Sequence, residues 1–244
     1  VRTANPALGE KTFTEFQGVA ERSMTVEGTV VKTSVLLTLL VIAAGFTWIP
    51  AATNPALAQG MAMAGALAGL VFAFITIFRP TAAPFTAPLY AVCEGLFLGG
   101  ISAAFEARFP GIVVQAVLLT FGTLGALLMA YTSGLIRATE NFKLGVVSAT
   151  GAIFLVYLVS FVGNFFGWNV PFIHDSGLFG IAFSGFVVVI AALNLVLDFD
   201  FIESGAAHGA PKHMEWYGAF GLLVTLVWLY IEILRLLAKL QSRD

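Results

Sequence analysis

From Thr33 to Phe78 the chain carries no charged side chain. That run of 46 residues is too long for one buried core helix and long enough for two bilayer crossings of about 20 residues each. Pro50, Asn54 and Pro55 divide it into Val31–Ile49 and Ala56–Phe78, and Arg79-Pro80 closes the second segment. The pattern then repeats, and further spans are expected at Pro84–Ala104, Ile112–Ile136, Lys143–Trp168, Leu178–Ile202 and Met214–Leu240. Glu106, Arg108 and Pro110-Gly111, and later Gly205 to Pro211, read as turns between them. Lipid offers no partner for open backbone groups, so each crossing must be a helix. The runs do not alternate, and they far exceed the ~10 residues of a barrel strand. The expected fold is all-α: a polytopic membrane protein with seven transmembrane helices.

Composition agrees. The chain is 59% hydrophobic and 11% charged, with a mean hydropathy of +0.92, where soluble domains are about 45–50% apolar and about 25% charged. So few charges cannot cover a water-facing surface, which excludes a soluble or disordered chain. A net charge of −2 leaves no basic footprint for nucleic acid. Cys93 is the sole cysteine, which excludes a disulfide framework and any thiolate cluster. No resident cofactor is expected.

Residues 1–32 form the long polar stretch and read as a cytoplasmic tail, with a short helix around Phe13–Ala20, ahead of a seven-helix domain over 33–244. No apolar segment follows a short basic start, so no cleavable signal peptide is expected. With the N-terminus inside and seven spans, eight Lys and Arg lie inside and four outside, in keeping with the positive-inside rule. A re-entrant last segment would make the count 11 against 1. The length of that segment favours a full span, with the charges at 235–243 snorkelling from its end.

Small residues recur at helix-packing intervals. Gly65 and Gly69, and again Gly95 and Gly99, form GxxxG pairs, and Gly218, Gly221 and Thr225 share one face of the last helix. Such residues let backbones approach closely in a bilayer. The last helix continues that face with Trp228, Glu232 and Arg235, opposite a side of Leu, Val and Ile. A polar stripe of this kind is expected to pack inward.

Ionisable groups inside a span cost roughly 2.5–3.5 kcal/mol each on insertion scales and therefore point to function. Glu94 lies about mid-span in the third segment. Asp198 closes the sixth, one turn after Asn194, so the two share a face and offer an oxygen-rich patch. Asp200 points elsewhere and reads as a boundary residue in water. Glu232 either lines an internal path or simply pairs with Arg235. Acidic oxygens without a buried basic cluster suit hard cations or protons rather than anions. A carboxyl group in such surroundings titrates with its environment, so a path lined by it would be pH-sensitive.

Enzymatic readings fare poorly. Ser184-Gly185 and Ser133-Gly134 lack an embedded histidine base, because His174, His208 and His213 all sit in loops. No glycine-flanked aspartate on a second helix accompanies Asp198 or Glu232 as a protease dyad would need. His208 and His213 with Glu203 are a weak metal signal in a flexible loop. A retinal Schiff base needs a lysine deep in the last helix, where only Lys239 stands, near its end. A non-enzyme is expected.

The stretch L-D-F-D-F-I-E from Leu197, Glu94-Gly-Leu-Phe-Leu-Gly99, and the closing W-L-Y-I-E-I-L-R-L-L together resemble the Bax inhibitor / YccA family, and a bacterial branch of it most closely, over roughly residues 30–240. The resemblance implies a seven-helix bundle with the last helix central and three helix pairs around it, in a bacterial inner membrane. It also implies a pH-sensitive calcium leak that uses an acidic pair on the sixth and seventh helices. Asp198 matches the sixth-helix acid, four residues before Ile202. The seventh-helix position falls on Thr225 in a gapless register and on Glu232 in another. Three functional classes follow. The first is a calcium-leak channel with Asp198, Glu94, Glu232, Thr225 and Asn194 along an internal cation path, calcium being the permeant ion. The second is a non-conducting regulator that binds a membrane-bound AAA protease or another membrane partner. The third is a proton-coupled transporter.

Overall fold

The computed structural model describes residues 23–166 and 177–242. The expected helix around Phe13–Ala20, most of the polar tail, and the loop residues Asn169, Pro171, His174 and Asp175 lie outside the described residues. Seven helices follow in order: α1 Val26–Ala51, α2 Pro55–Phe78, α3 Ala83–Arg108, α4 Ile112–Thr132, α5 Glu140–Phe165, α6 Leu178–Ala207 and α7 Met214–Gln241. A 3-10 turn, Pro80–Ala82, leads into α3. All seven helices are long and apolar enough to cross a bilayer, and no strand occurs among the described residues. The fold is the all-α, seven-span architecture expected from the charge-free runs.

The helix boundaries have local causes. α1 begins at Val26, ahead of the expected Val31, because the Thr25 hydroxyl oxygen accepts the Gly28 N–H at 2.9 Å. Glu27 adds an acid in the first turn, where the helix dipole favours one. Asn54 and Thr139 cap α2 and α5 in the same way. α4 stops at Thr132 rather than Ile136, since Gly134 takes φ +74°, a left-handed conformation that ends helices and suits glycine. α3 runs on to Arg108, so Glu106 lies in its last turns rather than in the loop. From there its carboxylate accepts the N–H of Gly111 at 2.6 Å and of Val113 at 3.1 Å, capping α4 from outside. α6 continues through Gly205 to Ala207, past its expected end at Ile202. α7 is one unbroken helix of 28 residues, about 42 Å at 1.5 Å per residue. That is the length of a full crossing, not of a re-entrant hairpin.

α7 is the central helix. It packs against α1, α3, α4 and α6, while α2 packs chiefly on α3 and α1, and α5 on α6. Over its most apolar stretch 56% of residues are buried, against 11–39% for the other helices. Leu223, Leu226 and Leu229 of α7 meet Leu36 and Leu40 of α1, Tyr90 of α3, Ala116 of α4 and Leu195 of α6 in one core. The Leu, Val and Ile side of α7 is therefore buried as well as its polar stripe, because helices surround it on both sides. Around this core the outer faces are apolar too: Phe46, Leu118 and Phe154 are each more than 60% exposed, as side chains that meet hydrocarbon should be.

The GxxxG pairs do what their spacing suggests. A Cβ at Gly95 would collide with the Leu40 carbonyl of α1, and one at Gly99 with the Ala44 carbonyl. A Cβ at Gly65 would stand 2.5 Å from the Cys93 carbonyl of α3. α3 thus lies backbone to backbone against both α1 and α2, where packing replaces the hydrophobic drive that lipid removes.

Candidate functional site: a polar seam along the last three helices

α6 and α7 are joined by the short segment 208–213 and run antiparallel, so polar residues that descend α6 meet those that ascend α7. Asp198 lies at the level of Gly221 and Thr225. Its Oδ1 is 4.0 Å from where a Gly221 side chain would begin, and the Thr225 hydroxyl stands within hydrogen-bonding reach of the carboxyl. That hydroxyl also donates to the Gly221 carbonyl at 3.3 Å. Asp198 Oδ2 is buried with no hydrogen-bond partner among the described residues. Such an atom is rare and costly in a folded protein, more so in a bilayer interior.

One turn further down α6, Asn194 donates from Nδ2 to Thr150 Oγ1 of α5 and to the Ile190 carbonyl, both at 2.8 Å. Its amide is therefore engaged towards α5 rather than shared with Asp198. Two turns beyond Thr225, about 10 Å along α7, Glu232 is 1% exposed. The Tyr157 hydroxyl of α5 donates to its carboxylate, 3.1 Å from each oxygen, and Arg235 Nη1 stands 3.0 Å from Oε1. The Arg235 guanidinium lies over the Tyr157 ring at 5.7 Å. Of the two readings of Glu232, the structure shows the pairing with Arg235. At the next turn, Lys239 donates to the Gly180 carbonyl at 3.1 Å and to Ser184 Oγ at 2.8 Å. It turns inward to α6 instead of snorkelling.

Glu94 stands apart from this seam. It is half-buried on α3 and faces α2, with Oε2 3.2 Å from where a Gly69 side chain would begin. The structure brings Asp198 and Thr225 together, and does not bring Glu94 to them. Neither Asp198 nor Glu94 lines the cavities of about 790, 290 and 470 Å³ between the described helices.

At the N-terminal end of the seam, Asp200 pairs with Lys143 at 2.9 Å and is 29% exposed, so the boundary acid has a cationic partner. The Tyr131 hydroxyl donates to Glu203 at 2.5 Å. Glu215, in the first turn of α7, is wholly buried. It accepts the Thr25 N–H at 3.0 Å and the Thr25 hydroxyl at 2.8 Å, and Lys212 Nζ lies 2.8 Å away. The start of α7 is thereby tied to the start of α1. Sequence reasoning did not single out Glu215, Tyr157 or Thr150, and weighed Ser184 only as a rejected nucleophile. For the hydroxyl residues no local signal existed, since their role depends on which helix stands opposite. Glu215 looked like an ordinary acid at a helix start, yet Gly28 was a clue: any side chain there would overlap the Glu215 carboxylate.

Two acidic oxygens of the seam are buried without a hydrogen-bond partner among the described residues, Asp198 Oδ2 and Glu215 Oε2, and such groups suit a proton or a hard cation. No curated protein and no solved structure matches the chain. Residues 5–242, nearly the whole chain, match the family described as Bax inhibitor 1 like. With seven apolar helices, a central α7 and that match, the chain belongs to the Bax inhibitor 1 like family of multi-pass membrane proteins.

Proposed function

We propose that the protein is a non-enzymatic calcium leak channel, held here in a closed form, with Asp198 as the cation-binding group at its constriction. The observation that carries this reading is the buried, unpartnered Asp198 Oδ2 at the α6–α7 seam. Every other acid of the seam has a partner: Glu232 has Tyr157 and Arg235, Asp200 has Lys143, and Glu203 has Tyr131. Glu215 Oε2 is also buried without a partner among the described residues, but Thr25 and Lys212 hold that carboxylate at the first turn of α7, whereas Asp198 lies deeper along the seam. Thr225 then occupies the place of the seventh-helix acid, so the pH response of the leak rests on Asp198 without a second carboxylate opposite. Gly221 leaves room at that level, and opening requires α6 and α7 to separate there. Arg79, Arg137, Lys143 and Lys212 share the side of the N-terminus, which supports a cytoplasmic N-terminus by the positive-inside rule.

Calcium uptake into liposomes that carry the purified chain tests this reading. Asp198→Asn should lower the flux several-fold, and Glu94→Gln, away from the seam, should lower it less. Unchanged flux in Asp198→Asn overturns the role of that residue. A parent chain that passes no calcium leaves the non-conducting regulator in its place.

A further inference from the structure

Residues 23–25 enter the bundle as a short non-helical strap, and Thr25, in extended backbone, then caps α1. The strap lies on the hairpin of α6 and α7. Ser23 pairs with Pro211 in an isolated antiparallel bridge, and the Met24 N–H donates to the Ala210 carbonyl at 2.6 Å. Thr25 donates its N–H and its hydroxyl to Glu215, which Lys212 also holds.

Between these bonds the Met24 side chain turns inward and is buried. It lies between two glycines. A Cβ at Gly205 of α6 would stand 3.0 Å from Met24 Sδ, and one at Gly218 of α7 would stand 3.4 Å from Met24 Cε. Ile202 Cγ1 of α6 and Thr29 Cγ2 of α1 reach the same point on Gly218, at 3.2 Å and 3.4 Å, and both residues are buried. Side chains from the strap, α1 and α6 thus close one layer on α7. Asp198 stands four residues before Ile202, and Gly221 three residues after Gly218. The layer therefore lies about 5 Å to the N-terminal side of the Asp198–Thr225 level. Two cavities end at it. One of about 790 Å³ runs from the exposed Arg137 and Glu203 to Thr29 and Ile202, and one of about 470 Å³ runs from the exposed His208 to Met24 and Gly205. Asp198 lines neither.

We propose that residues 23–25 latch the N-terminal-side entrance of the seam, with Met24 and Ile202 as the plug above Asp198. The latch deepens the leak reading and rests on it for its purpose, while its geometry is testable without conduction. The strap bonds named above run to Ala210, Pro211 and Glu215, so their release withdraws Met24 and joins both cavities to the seam.

A single thiol reports the state of the entrance. Cys93→Ala removes the native thiol, and Gly221→Cys places one beside Asp198, where a side chain meets nothing nearer than Oδ1 at 4.0 Å. In the full chain in detergent, a charged methanethiosulfonate should modify this thiol slowly. Met24→Ala, Ile202→Ala and Glu215→Ala should each speed the modification several-fold. Met24→Leu, which keeps the bulk, and Glu215→Gln, which keeps an acceptor for Thr25, should leave it slow. A thiol placed instead by Val187→Cys, buried and about 16 Å from Asp198 along α6, should stay slow in Met24→Ala, as general loosening of the bundle would not allow. Fast modification in the parent, an unchanged rate in any of the three alanine variants, or equal acceleration at Val187→Cys overturns the latch. Calcium flux in liposomes separates the two readings. Accelerated modification with raised flux in Met24→Ala supports both, and accelerated modification with no flux in any variant keeps the latch and overturns the leak.

Discussion

Replacing Arg235 with Met should destabilise the bundle far more than its half-exposed position suggests. Arg235 is 49% exposed, but its partner Glu232 is 1% exposed. Removing the guanidinium leaves a carboxylate in the centre of the protein with only the Tyr157 hydroxyl for company. Stranding one member of a buried pair costs about 3–5 kcal/mol in soluble proteins. Arg235 itself is half-exposed, which places the expected loss for Arg235→Met at about 2–3 kcal/mol. Tyr157→Phe removes a single hydroxyl donor and leaves the ion pair intact. Interhelical hydrogen bonds in bilayers average about 0.6 kcal/mol and reach about 1.7, so roughly 1 kcal/mol is expected for that variant. Glu232→Gln keeps an acceptor for Tyr157 and strands no buried charge. The double variant Glu232→Gln/Arg235→Met should therefore be more stable than Arg235→Met alone, with a coupling of about 1–2 kcal/mol. Equilibrium unfolding in mixed detergent and dodecyl sulfate micelles, followed by helical circular dichroism, measures the parent and all four variants. A loss under about 0.5 kcal/mol for Arg235→Met, or additive single effects in the double variant, would refute the reasoning that burial of Glu232 sets the energetics.

Two further outcomes test the packing. Gly95→Val should cost about 3 kcal/mol or prevent folding, as the overpacking of α3 against the Leu40 carbonyl requires, whereas Gly122→Ala, with nothing within 4 Å, should shift stability by less than about 1 kcal/mol and upward; thermal melts in detergent compare them, and a tolerated Gly95→Val counts against the close α1–α3 approach. Glu106→Ala removes the cap that holds the Gly111 and Val113 amides and should cost about 1 kcal/mol. Hydrogen exchange should then speed up at those two amides first, and unchanged exchange there denies the cap its role.

Number, type and order of the spans could be read along the chain, because the cost of placing a charge or an open peptide group in hydrocarbon belongs to each residue wherever its neighbours stand. The GxxxG pairs were legible for a similar reason, since a missing side chain permits close approach by any partner. Helix ends were less so: Thr25 and Gly134 moved two of them, through a capping bond and a left-handed glycine. The acids of the interior were also visible as candidates, but not what each one faces. Only the tertiary structure gave Glu232 to Tyr157 and Arg235, turned Lys239 inward to Ser184, set Glu94 apart against Gly69, and left Asp198 beside Thr225 with an oxygen unclaimed. Those outcomes depend on the rotation and depth of each helix against α7. Contacts among all the helices set that rotation at once, so no local stretch of sequence carries it.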